Sequence, residues 1–155
     1  MAGIYFHYPF CSQACNYCNF HFSTQTKYTQ EMQHAMISEL HLRKSELINP
    51  IESIYFGGGS PSLLPASFFY ETIKSVKNCF EFNNNIEITL EANPNDLSLK
   101  NLKDLKKSGV NRISLGVQSF EDDELKMMNR IHNANQGLKA IEWTSKVFDN
   151  FSVDL

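Results

Sequence analysis

Three thiols stand within eight positions of one another, at Cys11, Cys15 and Cys18. Thiols this close in sequence serve as metal ligands, as a redox pair or as a disulfide. The spacing is C-x3-C-x2-C, not the paired C-x2-C…C-x2-C of a zinc ribbon. Three thiolates suit three irons of a four-iron cluster and leave the fourth iron open to another ligand. His21, three residues after Cys18, keeps a Cys3His zinc site open as an alternative. Cys79 is remote and falls on the apolar face of a predicted helix, where a thiol packs as a small core residue.

Other residues could do chemistry as well. Gly57-Gly58-Gly59-Ser60-Pro61 follows a predicted strand and would let backbone approach a ligand closely. It lacks both the Gly-Lys-Ser/Thr of a P-loop and the G-x-G-x-x-G spacing, and a plain tight turn is the other reading. Glu91 and Gln118 end two further strands. His7 lies on the polar side of the first strand, as a site wall or as a core hydrogen-bonding group. His34 and His41 read as solvated.

The elements that must position these residues alternate. Strands are predicted at 3–7, 51–56, 86–91, 112–117 and 151–155. Helices are predicted at 27–47, 65–80, 98–107, 121–128 and 134–147 from 3.6-residue periodicity. Asn49-Pro50 stops the first helix, and Gly109 stops the third. Repeated β-α units give a parallel sheet with right-handed crossovers. The predicted fold is α/β: a partial, incompletely closed parallel β/α barrel, running about four and a half units over residues 1–155. That reading makes the chain the N-terminal portion of a larger domain.

Each strand is apolar on one side and polar or small on the other. One side carries Ile4 and Phe6; Ile54 and Phe56; Ile86, Ile88 and Leu90; Ile113, Leu115 and Val117; Phe151, Val153 and Leu155. The other carries Tyr5 and His7; Ser53, Tyr55 and Gly57; Glu87, Thr89 and Glu91; Ser114, Gly116 and Gln118; Ser152 and Asp154. A sheet buried on both faces reads as continuous apolar runs, and a closed eight-stranded barrel fills its interior with aliphatic residues. Two readings fit: an open sheet with one wet face, or a wide barrel whose interior holds a polar ligand. In parallel β/α folds ligands sit at the C-terminal strand ends. The cysteine loop, the glycine loop, Asn93-Pro94 and Gln118-Ser119 all fall there.

Bulk properties narrow the class. The chain has 155 residues, is 42% hydrophobic and 20% charged, and carries a formal net charge of -3. That balance implies no nucleic-acid partner and no anionic membrane surface. Lys100, Lys103, Lys106 and Lys107 interleave with leucines as the solvated face of a helix. No stretch approaches the ~20 apolar residues of a membrane span, and the N-terminus has no signal-peptide pattern. A reducing, cytoplasmic location follows, where a cysteine cluster favours metal over disulfide.

These residues resemble a known family. Tyr5-Phe6-His7-Tyr8-Pro9-Phe10-Cys11, Cys15 and Tyr17-Cys18 are similar to the cluster motif of radical S-adenosylmethionine (SAM) proteins, specifically the coproporphyrinogen dehydrogenase-like group. So are Tyr55 to Leu64, Leu90-Glu91-Ala92-Asn93-Pro94 and Asn111 to Phe120. The resemblance implies that Cys11, Cys15 and Cys18 bind a [4Fe-4S] cluster whose open iron takes the amino and carboxylate groups of SAM. It implies Tyr5 beside the cluster and the methionyl group, Tyr17 near the adenine, and Gly58, Gly59 and Ser60 on the methionyl part through backbone groups. Glu91, Gln118, Arg130 and Asp154 match polar SAM-binding positions, with Arg130 suited to pair the SAM carboxylate. The implied chemistry is reductive cleavage of SAM to methionine and a 5′-deoxyadenosyl radical, fed by an external electron donor.

Two departures separate branches of the group. The decarboxylating branch, oxygen-independent coproporphyrinogen III oxidase of porphyrin biosynthesis, continues C-x3-C-x2-C-x-C, and here that last position is Phe20. It also carries a long extension before the cluster strand, whereas the first strand here starts at Gly3. Both features resemble the heme-chaperone branch, which implies heme as a ligand and a heme-acceptor protein as a partner, with chaperone activity favoured over enzyme activity. A zinc-binding, non-redox module is the reading from another class.

Overall fold

The computed structural model describes residues 2–155. Five strands form one parallel sheet in the order β1-β2-β3-β4-β5. They are β1 (Ala2–Tyr8), β2 (Ile51–Gly58), β3 (Phe82–Ala92), β4 (Arg112–Gly116) and β5 (Phe151–Asp154). Helices α1 (Thr29–Leu42), α2 (Ala66–Cys79), α3 (Leu99–Ser108), α4 (Asp122–Met127) and α5 (Ala134–Val147) fill the connections. The sheet is open, as the partial-barrel reading expects.

Strand register explains the two-sided pattern. Phe6 pairs with Phe56, Phe56 with Leu90, Leu90 with Ile113 and Ile113 with Phe151. This row faces the helices and is the centre of the core, where Phe56, Leu90 and Ile113 are fully buried. Phe69 of α2 meets Phe56 edge-on, with ring centroids 5.1 Å apart. The opposite face is polar. Arg112 donates to Thr89 and Ser152, Thr89 donates to Glu87 at 3.0 Å, and Ser114 and Ser152 are hydrogen-bonded at 3.1 Å. These polar groups satisfy one another, which lowers the cost of burying them, and the face is unlike the aliphatic filling of a closed eight-stranded barrel.

Helix boundaries follow their caps. Ser98 accepts from the Asn101 amide at the start of α3, and Gly109, at φ 108°, ends it in the left-handed conformation. Asn133 and Gln136 close a capping box on α5. The first helix is shorter than its periodicity predicts. It starts after a 3-10 turn at Thr26–Tyr28 and ends at Leu42, with only Leu40 fully buried. Arg43 is the residue at which the chain leaves the helix. Its side chain reaches Glu39 in the last turn and Glu46 beyond it, and the Glu46 amide turns back to the Arg43 carbonyl. Pro65 lies just before α2, not in its first turn.

Candidate functional site

All five strands end at one mouth, and a cavity of about 230 Å³ opens there. Its wall includes Cys11, Cys15, Cys18, Tyr17, Gly58, Gly59, Ser60, Glu91, Gln118, Arg130 and Asp154. The structure therefore brings together every site residue expected from the sequence except Tyr5.

Tyr5 stands one row deeper. It pairs with Tyr55, itself paired with Thr89, whereas β3 reaches the cavity wall only at Glu91, two residues beyond Thr89. Its hydroxyl meets His7 Nδ1 at 3.2 Å and its ring stacks on Tyr55 at 5.9 Å. Burial raises its pKa, and the Glu91 charge adds to the rise.

The sheet itself carries Cys11. The chain past Tyr8 stays alongside the glycine loop: the Gly59 amide donates to the Tyr8 carbonyl at 2.7 Å, and the Ser60 amide to the Phe10 carbonyl at 2.8 Å. On the other side the Cys11 amide donates to Ser23 O at 3.0 Å. The approach at Gly59 is so close that a Cβ there would lie 2.6 Å from Phe10 O and 2.9 Å from Cys11 Sγ. The third amide of the loop, Gly58, donates to Glu91 Oε2 at 3.1 Å. All three loop amides are thus committed within the protein. This loop's carbonyls and the Ser60 hydroxyl, not its N–H groups, are what it can offer a ligand.

Glu91 is held from two sides, by the Gly58 amide and by the Tyr55 hydroxyl at 2.8 Å. Burial and that carboxylate push the Tyr55 hydroxyl up to about 12. Gln118 sits just beyond β4 in the left-handed region, at φ 75°. Its amide donates to Asp154 O at 2.8 Å, which ties the ends of β4 and β5 together. A glutamine in this conformation is uncommon and stores strain of the kind found at functional sites.

Arg130 enters the site through a helix ending. The Asn129 amide bonds to Lys126 O at 3.0 Å and the Arg130 amide to Leu125 O at 2.9 Å, with Asn129 at φ 59°. This is a Schellman motif. It stops α4 and directs the next side chain across the mouth. Arg130 Nη2 donates to Gly116 O at 2.6 Å and to Asn93 Oδ1 at 2.8 Å, while Nη1 approaches Tyr17 OH at 3.4 Å and Cys15 Sγ at 3.6 Å. Asn93 passes the contact on, donating to Ser60 Oγ at 2.9 Å.

Asn93, already placed at the mouth by the Asn93-Pro94 turn, joins Arg130 to Ser60. Other site residues carry no signal in the sequence. Gln13, Asn16 and Asn129 bind the cysteine loop to the α4 ending. Each makes its contact through a side-chain amide to a partner remote in sequence, which no local pattern announces. The positive φ of Asn129 does have a local cue, an asparagine just after a short helix.

The donor set suits an iron–sulfur cluster. Burial pushes the Cys11 thiol up; the Ser60 side chain draws it back, and the nearby Cys18 and Cys15 sulfurs add to the rise. A cationic centre beside the Cys11 sulfur would favour its thiolate. Among the described residues, no three His, Cys, Asp or Glu side chains converge as ligands of a single metal ion. The three thiols stand around one cavity. His21 is exposed and off the cavity wall. Arg130 Nε is buried with no partner among the described residues. Cys79 packs half-buried against the core and meets the Nδ1 of His41, which is exposed as expected, at 3.3 Å.

Residues 5–155 match the family described as the Radical SAM superfamily. The chain belongs to the radical SAM superfamily. Among similar proteins, heme chaperone HemW of Buchnera aphidicola (from Schizaphis graminum) is 37% identical over 99% of this chain and 42% of its own length. Radical S-adenosyl methionine domain-containing protein 1, mitochondrial, of Dictyostelium discoideum is 40% identical over 99% of this chain and 38% of its own length. The chain thus spans about two-fifths of these relatives. Among solved structures, the Escherichia coli coproporphyrinogen III oxidase HemN, described as a radical SAM enzyme, superposes with a TM-score of 0.86 at 24% identity, covering 99% of this chain and 36% of HemN. That likeness shows the radical SAM fold. No helix among the described residues is long and apolar enough to cross a membrane.

Proposed function

We propose that this chain is the cluster- and SAM-binding part of a HemW-type heme chaperone. The observation that carries the reading is the convergence of three thiols, an anchored arginine and a hydrogen-bonded glutamate on one cavity at the strand ends. Cys11, Cys15 and Cys18 would hold a [4Fe-4S] cluster. Bound together, cluster and SAM supply one-electron reductive chemistry at the sulfonium.

The chain's own residues provide the setting. Glu91, fixed by Tyr55 and Gly58, offers a rigid acceptor for a ribose or an ammonium group. Arg130, held by Gly116 and Asn93, offers a preorganised cation for a carboxylate. Gln118 and Asp154 close the far wall, and Tyr17 presents a half-exposed ring for a flat base. Tyr5 acts indirectly, packing behind Tyr55. Heme and a heme-acceptor protein are the cargo and partner of this reading, a reductant its electron source, and the cytoplasm its compartment.

The second reading is an oxygen-independent coproporphyrinogen III oxidase. The HemN fold favours it. Phe20, on the cavity wall in place of a fourth cysteine, and the HemW-like relatives speak against it.

The test uses the full-length protein, reconstituted anaerobically. Hemin titration is expected to give a saturable Soret band. Incubation with coproporphyrinogen III, SAM and a reductant is expected to give no decarboxylated porphyrin. Multiple turnovers to such a product would overturn the chaperone reading.

A further inference from the structure

The cysteine loop and the α4 ending lie over a hundred residues apart in sequence and are bound side to side. Gln13 Nε2 donates to both Asn129 O and Asn129 Oδ1, each at 2.8 Å. Asn129 Nδ2 donates to Ala14 O at 2.6 Å. The Asn16 amide donates to Met128 O at 3.1 Å, and Asn16 Nδ2 to Met127 O at 2.7 Å. The element receiving these bonds is the same Schellman turn that projects Arg130 toward Cys15 and Tyr17.

We infer that Asn129 is a positioning residue that clamps the cysteine loop to the arginine-bearing turn, so that the cluster site and the SAM carboxylate site are set by one piece of backbone. Asn129 suits the role on two counts. Asparagine tolerates the left-handed conformation that the turn requires. Its amide both donates to and accepts from the loop, so one side chain closes a two-way contact. A loop ordered on a cluster then holds the turn in place, and a turn ordered on a carboxylate holds the loop. Coupling of this kind is reciprocal.

The inference rests on the proposed cluster and SAM sites, and its test separates the two. The full-length protein, wild type and variants, is reconstituted with iron and sulfide. The electron paramagnetic resonance spectrum of the reduced cluster is then followed as SAM is added. N129G keeps the left-handed backbone at no steric cost and removes only the side-chain bonds. Q13A removes the partner from the loop side.

With normal iron content and an unchanged thermal melt, each variant is expected to need about tenfold more SAM to shift the spectrum, as fits the loss of one or two net hydrogen bonds. The two single variants share the bond from Gln13 Nε2 to Asn129 Oδ1 and each breaks one more, so the double variant should lose less than the sum of the two single losses. Wild-type SAM midpoints in both cluster-loaded variants would overturn the clamp while leaving the proposed function intact. A wild-type protein that takes up no cluster, or whose spectrum ignores SAM, would overturn the proposed function and the clamp with it.

Discussion

The Tyr55 hydroxyl donates to Glu91 Oε1 at 2.8 Å across the β2–β3 pair, while the other Glu91 oxygen accepts from the Gly58 amide. The carboxylate is therefore aimed before any ligand arrives. Tyr55→Phe removes one of its two anchors. The expected result is a loss of about 1.5 to 3 kcal/mol in stability, typical of a hydrogen bond to a charged group. SAM binding should weaken several-fold. Thermal unfolding and a SAM titration check the two parts, and unchanged values in both would mean that Gly58 alone fixes the glutamate.

Gly59→Ala places a methyl group against Phe10 O and Cys11 Sγ. The backbone at 10–11 must move, and with it the thiol. Iron and acid-labile sulfide after reconstitution are expected to fall at least several-fold, with far-ultraviolet circular dichroism unchanged. Full iron content in this variant would show that the strand-to-loop contact can relax freely.

Replacing Cys15 with alanine is expected to abolish the broad visible absorption of a reconstituted cluster. Replacing Cys79 with alanine, remote from the cavity, should leave it intact. Equal loss from both would contradict the ligand assignment.

His132 is buried beneath the site, with Nε2 3.0 Å from the Val117 carbonyl oxygen and Nδ1 unpartnered among the described residues. Burial lowers its pKa, and the Arg130 charge adds to that. The folded state therefore binds its proton later than the unfolded state, whose histidine titrates near about 6.5. Stability is full above that pH and falls as pH drops below it toward the folded-state value. The melting temperature of the wild type should decline more steeply below about pH 6.5 than that of His132→Gln. Parallel slopes would assign the acid sensitivity to other groups.

Much of this arrangement is legible in the sequence because strands and helices are local. Alternation along Ile86 to Glu91 separates core face from ligand face, and the register then carries that assignment across all five strands. The cavity wall follows, because parallel strands must end together. What resists reading is non-local or one step off the pattern. The first helix looks longer than it is because Leu47 keeps the period after Arg43 has already turned the chain. Tyr5 lies on the expected face, and its depth along the sheet is set by where β1 pairs with β2. Asn93, Gln13 and Asn129 matter through single amide contacts across the molecule, and amide side chains look alike wherever they occur.

The strand-like continuation of β1 past Tyr8 makes the three thiols mechanically unequal. Cys11 rides on the sheet, with neighbouring backbone bonded on both sides to residues 59–60 and 23. Cys15 and Cys18 ride on a loop fastened by side chains to a turn. Any inorganic centre built here thus grows from a fixed post, and the loop folds onto it. The ordering entropy falls on the loop alone. Amide exchange should record the asymmetry, with Cys11 slow and protected alongside the strands and Cys15 fast until the metal arrives.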